Sequence, residues 1–251
     1  PDRFDTERAA SAIIDHLEEE GELIFFPFDR QARAAAEDFI TVWRYLGRGQ
    51  LRIEDRIDSI KRVDRETPII LLASRQPGPE FLSQLFSVLS HPALWIGPPP
   101  GPNSKDVFSD LLGVLTLNDD FSCAVHLHLY SVLTTVFLHL LESVNPKRAD
   151  PVLKLVKQVK PALTGTLLNS EFLFDEVLNA ALHTANYETA HCVSPFSGTA
   201  AEWEQKTEYG GKLHLAGHSY GESGHGPLAT IDSDIKNKFI LIEDRDRMTE
   251  L

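Results

Sequence analysis

Two spacings of apolar residues organise the first half of the chain. In Thr6 to Glu20, Ala9, Ile13, Ile14 and Leu17 recur at helical spacing, and Gly21 supplies a stop. Leu23 to Phe28 is instead an unbroken apolar run, short enough for a buried strand. The same two signals then alternate. Gln31 to Leu46 reads as a helix with Phe39, Val42 and Trp43 inward, Pro68 to Ala73 as a strand and Pro79 to Leu89 as a helix. Ala93 to Ile96 reads as a third strand, followed by the loop Gly97 to Asn103. Leu112 to Leu117 is a fourth strand and Ala124 to Val144 a long apolar helix. Ile24-Phe25-Phe26 and Ile69-Ile70-Leu71-Leu72 show no polar alternation, as expected of strands buried on both faces. The expected architecture is α/β, a doubly wound parallel sheet flanked by helices.

The polar stretch Asn145 to Asp150 marks an expected boundary between residues 1–148 and residues 149–251. Beyond it, Pro151 to Leu163 and Leu167 to Thr184 read as helices, Thr189 to Val193 as a strand, Gly198 to Tyr209 as a helix and Lys238 to Ile242 as a strand. These are too few for a second sheet of equal size, so the second subdomain reads as shorter and incomplete. A weak repeat links the halves: Pro27-Phe28 ends one strand and Pro195-Phe196 another, each followed by small residues leading to an acid, Glu37 or Glu202.

Composition narrows the function classes. The 251 residues suit one large domain or two smaller ones, and 42% apolar content supports a real core. A formal net charge of −13 repels a phosphate backbone and argues against nucleic acid, while leaving room for a small anion held by local donors. Cys123 and Cys192 form neither a disulfide framework nor a metal motif, so a reducing, cytoplasmic setting is expected. The greasy run Leu127 to Leu141 is too short and polar to span a bilayer, and no secretory leader is visible, so no membrane partner is expected. His214, His218 and His225 cluster without metal-ligand spacing; neither metal nor cofactor is expected.

Candidate chemistry lies between Gly198 and Asp232. Glu202, Lys206 and Tyr209 share one helical face, an arrangement that a surface Glu–Lys pair would also give. The loop Tyr220 to Leu228 sets four glycine or proline residues around His225, which restricts its backbone while presenting polar groups. The segment resembles the isomerase half of glutamine–fructose-6-phosphate aminotransferase, a member of the sugar isomerase (SIS) family. Ala201-Glu202-Trp203-Glu204-Gln205-Lys206 is similar to its catalytic helix, and Gly221-Glu222-Ser223-Gly224-His225-Gly226-Pro227-Leu228-Ala229-Thr230-Ile231-Asp232 to its His-Gly-Pro loop.

The resemblance implies an SIS-type, flavodoxin-like three-layer fold and a small phosphorylated sugar as ligand. It implies catalytic positions at Glu202, Lys206 and His225, the His assisting ring opening. The family's proton-shuttling Glu falls on Tyr209; Glu208 is adjacent but points about 100° away on an ideal helix. Sugar-phosphate contacts are expected from Arg30, Ser74, Arg75, Gln76, Ser197 and Glu222, with the arginines offering bidentate recognition in place of the family's hydroxyl-rich turns. The glutaminase half, which begins with Cys, has no counterpart, so glutamine hydrolysis is not expected. A homodimer sharing the His225 loop between subunits is implied. Two readings remain: a sugar-phosphate or amino-sugar isomerase, deglycase or deaminase, and a non-catalytic sugar-phosphate-binding or regulatory module.

Overall fold

A computed structural model describes residues 3–16, 21–46, 49–99, 108–117, 125–168, 179, 189–194, 197–206, 215–219 and 237–241. The chain divides into two compact units, Pro1–Leu153 and Lys154–Leu251.

The first unit begins with helix α1 (Arg3–Ile14), strand β1 (Glu22–Pro27) and helix α2 (Arg30–Leu46). There follow β2 (Gln50–Ile53), the single turn α3 (Ile57–Ile60), β3 (Ile69–Leu72), α4 (Pro79–Val88), β4 (Ala93–Gly97) and β5 (Gly113–Thr116). Helix α5 (Val125–Val144) comes next, and α6 (Pro146–Leu168) carries the chain past the division between the units. The strands form one five-stranded sheet in the order β2-β1-β3-β4-β5, with parallel pairing throughout.

The unbroken apolar runs have the expected cause. Alternate residues of one strand feed two different cores. Leu23, Phe25, Ile70, Leu72, Leu94 and Ile96 point to the face covered by α1, α2 and α5, where they meet Ala10, Ala35, Trp43 and Leu133. Ile24, Phe26, Ile69, Leu71 and Trp95 point to the other face and pack on Ile60, Leu82 and Leu85 of α3 and α4. The result is the expected three-layer α/β arrangement.

Three details differ from the sequence reading. Helix α1 closes at Ile14, and residues 17–20 lie outside the described residues. The polar stretch after Val144 is not a loop, because Pro146 opens α6, a position where a missing N–H costs the helix nothing. Strand β2 went unread because Gln50-Leu51-Arg52-Ile53 is short and half polar. It is an edge strand, and Arg52 pairs with Glu22 and Glu54 there, so charge stands where another strand could add.

The second unit holds β6 (Thr189–Ser194), α7 (Ser197–Lys206), β7 (Leu215–Ser219) and β8 (Asn237–Leu241). They form a three-stranded parallel sheet in the order β7-β6-β8. Gly217 explains how α7 lies on it. A Cβ at that position would stand 2.3 Å from the carbonyl oxygen of Ala200, so only glycine lets the helix backbone approach so closely. The expected helix over Leu167 to Thr184 lies mostly outside the described residues.

Candidate functional site

In an open parallel sheet, a crevice forms where neighbouring strands send their following helices to opposite faces. Here that point lies between β1 and β3. From β1 the chain crosses through α2 on one face; from β3 it crosses through α4 on the other. The two strands run in register, Ile24 beside Ile69 and Pro27 beside Leu72, so their carboxyl ends leave the sheet side by side.

Two short segments follow. Phe28-Asp29 leads into α2, and Ala73-Ser74-Arg75-Gln76-Pro77-Gly78 leads into α4. Phe28, Asp29, Arg75, Gln76, Pro77, Gly78 and Phe81 line an open cavity of about 370 Å³. Its base is aromatic: Phe28 meets Phe81 edge-on at 5.7 Å between ring centroids and Trp95 at 5.4 Å. Trp95 is fully buried and donates its indole N–H to the Pro98 carbonyl at 3.0 Å, which fixes the base from below.

The polar centre of this crevice is Asp29. Its Oδ1 accepts the backbone N–H of Ala32 at 2.9 Å, which makes Asp29 the N-cap of α2. The same oxygen accepts the hydroxyl of Ser74 at 2.8 Å, and Oδ2 accepts the backbone N–H of Ser74 at 2.8 Å. One carboxylate thus gathers a donor of its own helix and two donors of Ser74, 45 residues further along the chain. Ser74 is only 8% exposed, so its donors face the carboxylate rather than bulk water.

Of the residues expected from sequence, Ser74, Arg75 and Gln76 come together here, Arg75 and Gln76 being exposed on the cavity wall. Arg30 is the first residue of α2; it is exposed and lies outside that wall. Asp29 was not singled out. Its signal was present, since an Asp just before an amphipathic helix is an N-cap signature, but nothing local showed that Ser74 would meet it. A larger groove of about 460 Å³ runs beside α4, lined by Leu82, Phe86, His91, Phe108 and Asp110 among others, away from the strand ends.

In the second unit, Ser197, Glu202 and Lys206 all belong to α7, which follows the central strand β6. Glu208, Tyr209, Glu222 and His225 lie outside the described residues. On β6 and β7, His191 Nδ1 and His218 Nε2 are 3.1 Å apart and their rings stack at 5.3 Å. One ring donates and the other accepts. Among the described residues no group of three His, Cys, Asp or Glu could hold a metal ion. Cys192, beside this pair in sequence, is fully buried, and burial pushes its thiol up to about 11. On α5, burial holds His128 below the usual histidine value. Among the described residues no helix is long and apolar enough to cross a membrane.

No family model and no curated protein matches the chain by sequence. Solved structures do match it. The chain is similar to a candidate sugar binding protein from Salmonella typhimurium LT2, over 100% of this chain and 78% of that one, with a TM-score of 0.71 at 13% identity. It is similar to the C-terminal domain of glucosamine-fructose-6-phosphate aminotransferase from Francisella tularensis, over 98% and 75%, with a TM-score of 0.62 at 13% identity. It is also similar to tagatose-6-phosphate ketose/aldose isomerase from Escherichia coli, over 93% and 66%, with a TM-score of 0.58 at 15% identity. At these identities the likeness is one of fold. The order of the five parallel strands, their two covered faces and these likenesses together show that the chain has the SIS-type α/β fold to which the segment Ala200 to Asp232 pointed.

Proposed function

We propose that this protein binds a small phosphorylated sugar in the crevice at the ends of β1 and β3 and acts on it as an isomerase, deglycase or deaminase. The observation that carries this reading is the crevice itself. It lies at the switch point of an SIS-type sheet, has an aromatic base and concentrates anion-seeking donors from α2 and Ser74. Arg75 and Gln76 on the wall, with Arg30 nearby in sequence, supply further contacts to the ligand. In this reading residues 1–148 and 149–251 are two SIS-like subdomains.

Chemistry is assigned to the second subdomain. By the resemblance, Glu202 and Lys206 are catalytic groups, Ser197 and Glu222 are substrate contacts, and His225, contributed by the partner in a cytoplasmic homodimer, assists ring opening. A base removes the C2 proton of the aldose, an enediol forms, and the proton returns at C1, so no oxidant or reductant is consumed. Glu208 or Tyr209 takes the shuttling position. Incubation with fructose 6-phosphate, glucosamine 6-phosphate and fructosamine 6-phosphates tests the activity. Turnover of one of them, abolished by Glu202→Gln and His225→Ala, is the expected result.

The second reading, a non-catalytic sugar-phosphate-binding or regulatory module, is favoured by Tyr209 at the shuttle position. Under it none of these sugars turns over, but one raises the melting temperature. If no sugar phosphate is turned over or raises the melting temperature, both readings fail.

A further inference from the structure

We infer that Asp29 is a built-in competitor for the phosphate of the ligand and thereby sets how tightly the protein holds a phosphorylated sugar. The inference rests on the sugar-phosphate reading above and goes beyond it to the regulation of that crevice.

An ordinary N-cap needs only the Ala32 N–H. Asp29 takes two further donors, the N–H and hydroxyl of Ser74, which belong to the loop after the neighbouring strand. Those three donors are what an incoming phosphate would use: an amide in the first turn of a 17-residue helix, a loop amide and a hydroxyl, all at the switch point. With the carboxylate in place, a phosphate oxygen approaching them meets a full negative charge at close range, and Ser74 is too buried for water to screen it well. Phosphate and Asp29 are therefore mutually exclusive on this donor set. The cavity of about 370 Å³ that Asp29 borders gives its side chain room to swing out, past Arg75 on the same wall. Binding must first break charge-assisted hydrogen bonds, which lowers affinity by at least about tenfold, the effect of one such bond.

The test compares wild type, Asp29→Ser, Asp29→Asn and the double variant Asp29→Ser/Ser74→Ala by calorimetric titration with inorganic phosphate, fructose 6-phosphate and fructose. Ser and Asn both cap helices well, so α2 keeps its start. Asp29→Ser is expected to bind phosphate and fructose 6-phosphate at least about tenfold more tightly than wild type. Fructose binding should not change, and the double variant should lose the gain. If Asp29→Ser does not fold, Asp29→Asn carries the test, with the same expected direction from the lost charge. Equal or weaker binding of both phosphate compounds by folded Asp29 variants overturns the inference. If wild type and variants bind fructose 6-phosphate equally well, the inference falls and the sugar-phosphate reading stands. If Asp29→Ser gains affinity for inorganic phosphate while no form binds fructose 6-phosphate, the competitor stands and the sugar reading falls. If no form binds either, both fall.

Discussion

The two sheets begin alike, and the helix after the central strand meets each of them in a different way. Each has a central first strand, a crossover helix to a neighbour on one side and a later strand on the other: β1, α2, β2 and β3 in the first unit, and β6, α7, β7 and β8 in the second. Each central strand is followed by Pro-Phe or reaches it, Pro27-Phe28 and Pro195-Phe196. The next residue is Asp29 in the first case and Ser197 in the second. The first sheet is held by bulk, with large side chains filling both faces and Trp43, Trp95 and Phe26 among its fully buried residues. In the second, the helix that follows the central strand lies almost directly on the backbone of β7 at Gly217. A crossover helix can thus rest on its sheet through side-chain volume or, as at Gly217, through close backbone approach, and the two contacts respond to opposite kinds of mutation.

The strongest break in the comparison is Trp95→Ala. It removes the contacts with the aromatic neighbours Phe28 and Phe108 at 5.4 and 5.0 Å and the support under the crevice. The expected loss is about 3–5 kcal/mol in chemical denaturation. Next comes Gly217→Ala, the opposite change. Adding one methyl group forces α7 off β7 because the obstructing atom is a backbone carbonyl, and about 2–3 kcal/mol is expected. Gly78→Ala is its control in the first unit: φ is −62° and nothing stands within 4 Å of the added carbon, so the denaturation midpoint should hardly move. Equal effects at Gly217 and Gly78 would break the contrast between the units.

Ser74→Ala probes the crevice. It deletes one of two donors from Ser74 to Asp29 and should cost about 1–2 kcal/mol by urea denaturation. A larger loss would mean that the Asp29 network also holds β1 to β3.

The last probe is a pH dependence that is absent at neutral pH and appears only above pH 9. The Cys192 thiol is raised from 9.0 to about 11, so the folded state keeps a proton that the unfolded state gives up first. Its stabilising contribution is fully present below pH 9 and is lost as pH rises through about 11. Melting temperatures of wild type and Cys192→Ala, followed from pH 8 to 11, should fall less steeply for the variant across that interval. Identical slopes would show that the thiol is not protected in the second sheet.

Much of the first sheet was legible in the sequence because its strands are covered on both faces. Double coverage removes polar alternation, so Ile24-Phe25-Phe26 and Ile69-Ile70-Leu71-Leu72 stand out against any helical period. The same logic explains the misses. β2 is a four-residue edge whose side chains are only partly buried, and β7, Leu215-Ala216-Gly217-His218-Ser219, has small residues because a helix backbone lies against it. Neither environment leaves a strong apolar signal. Pro146 looked like a break and is a start, because its missing N–H falls in the first turn, where the helix offers no partner for it.

By itself, then, the sequence determined the alternation of buried strands and amphipathic helices, the three-layer class and the segment that resembles an SIS site. These follow from spacing within one element, where burial and periodicity are written residue by residue. Tertiary structure alone decided the strand order, the position of the switch point and the meeting of Asp29 with Ser74. That contact joins groups 45 residues apart through the register of β1 on β3, and no local pattern encodes which acceptor a buried donor will find.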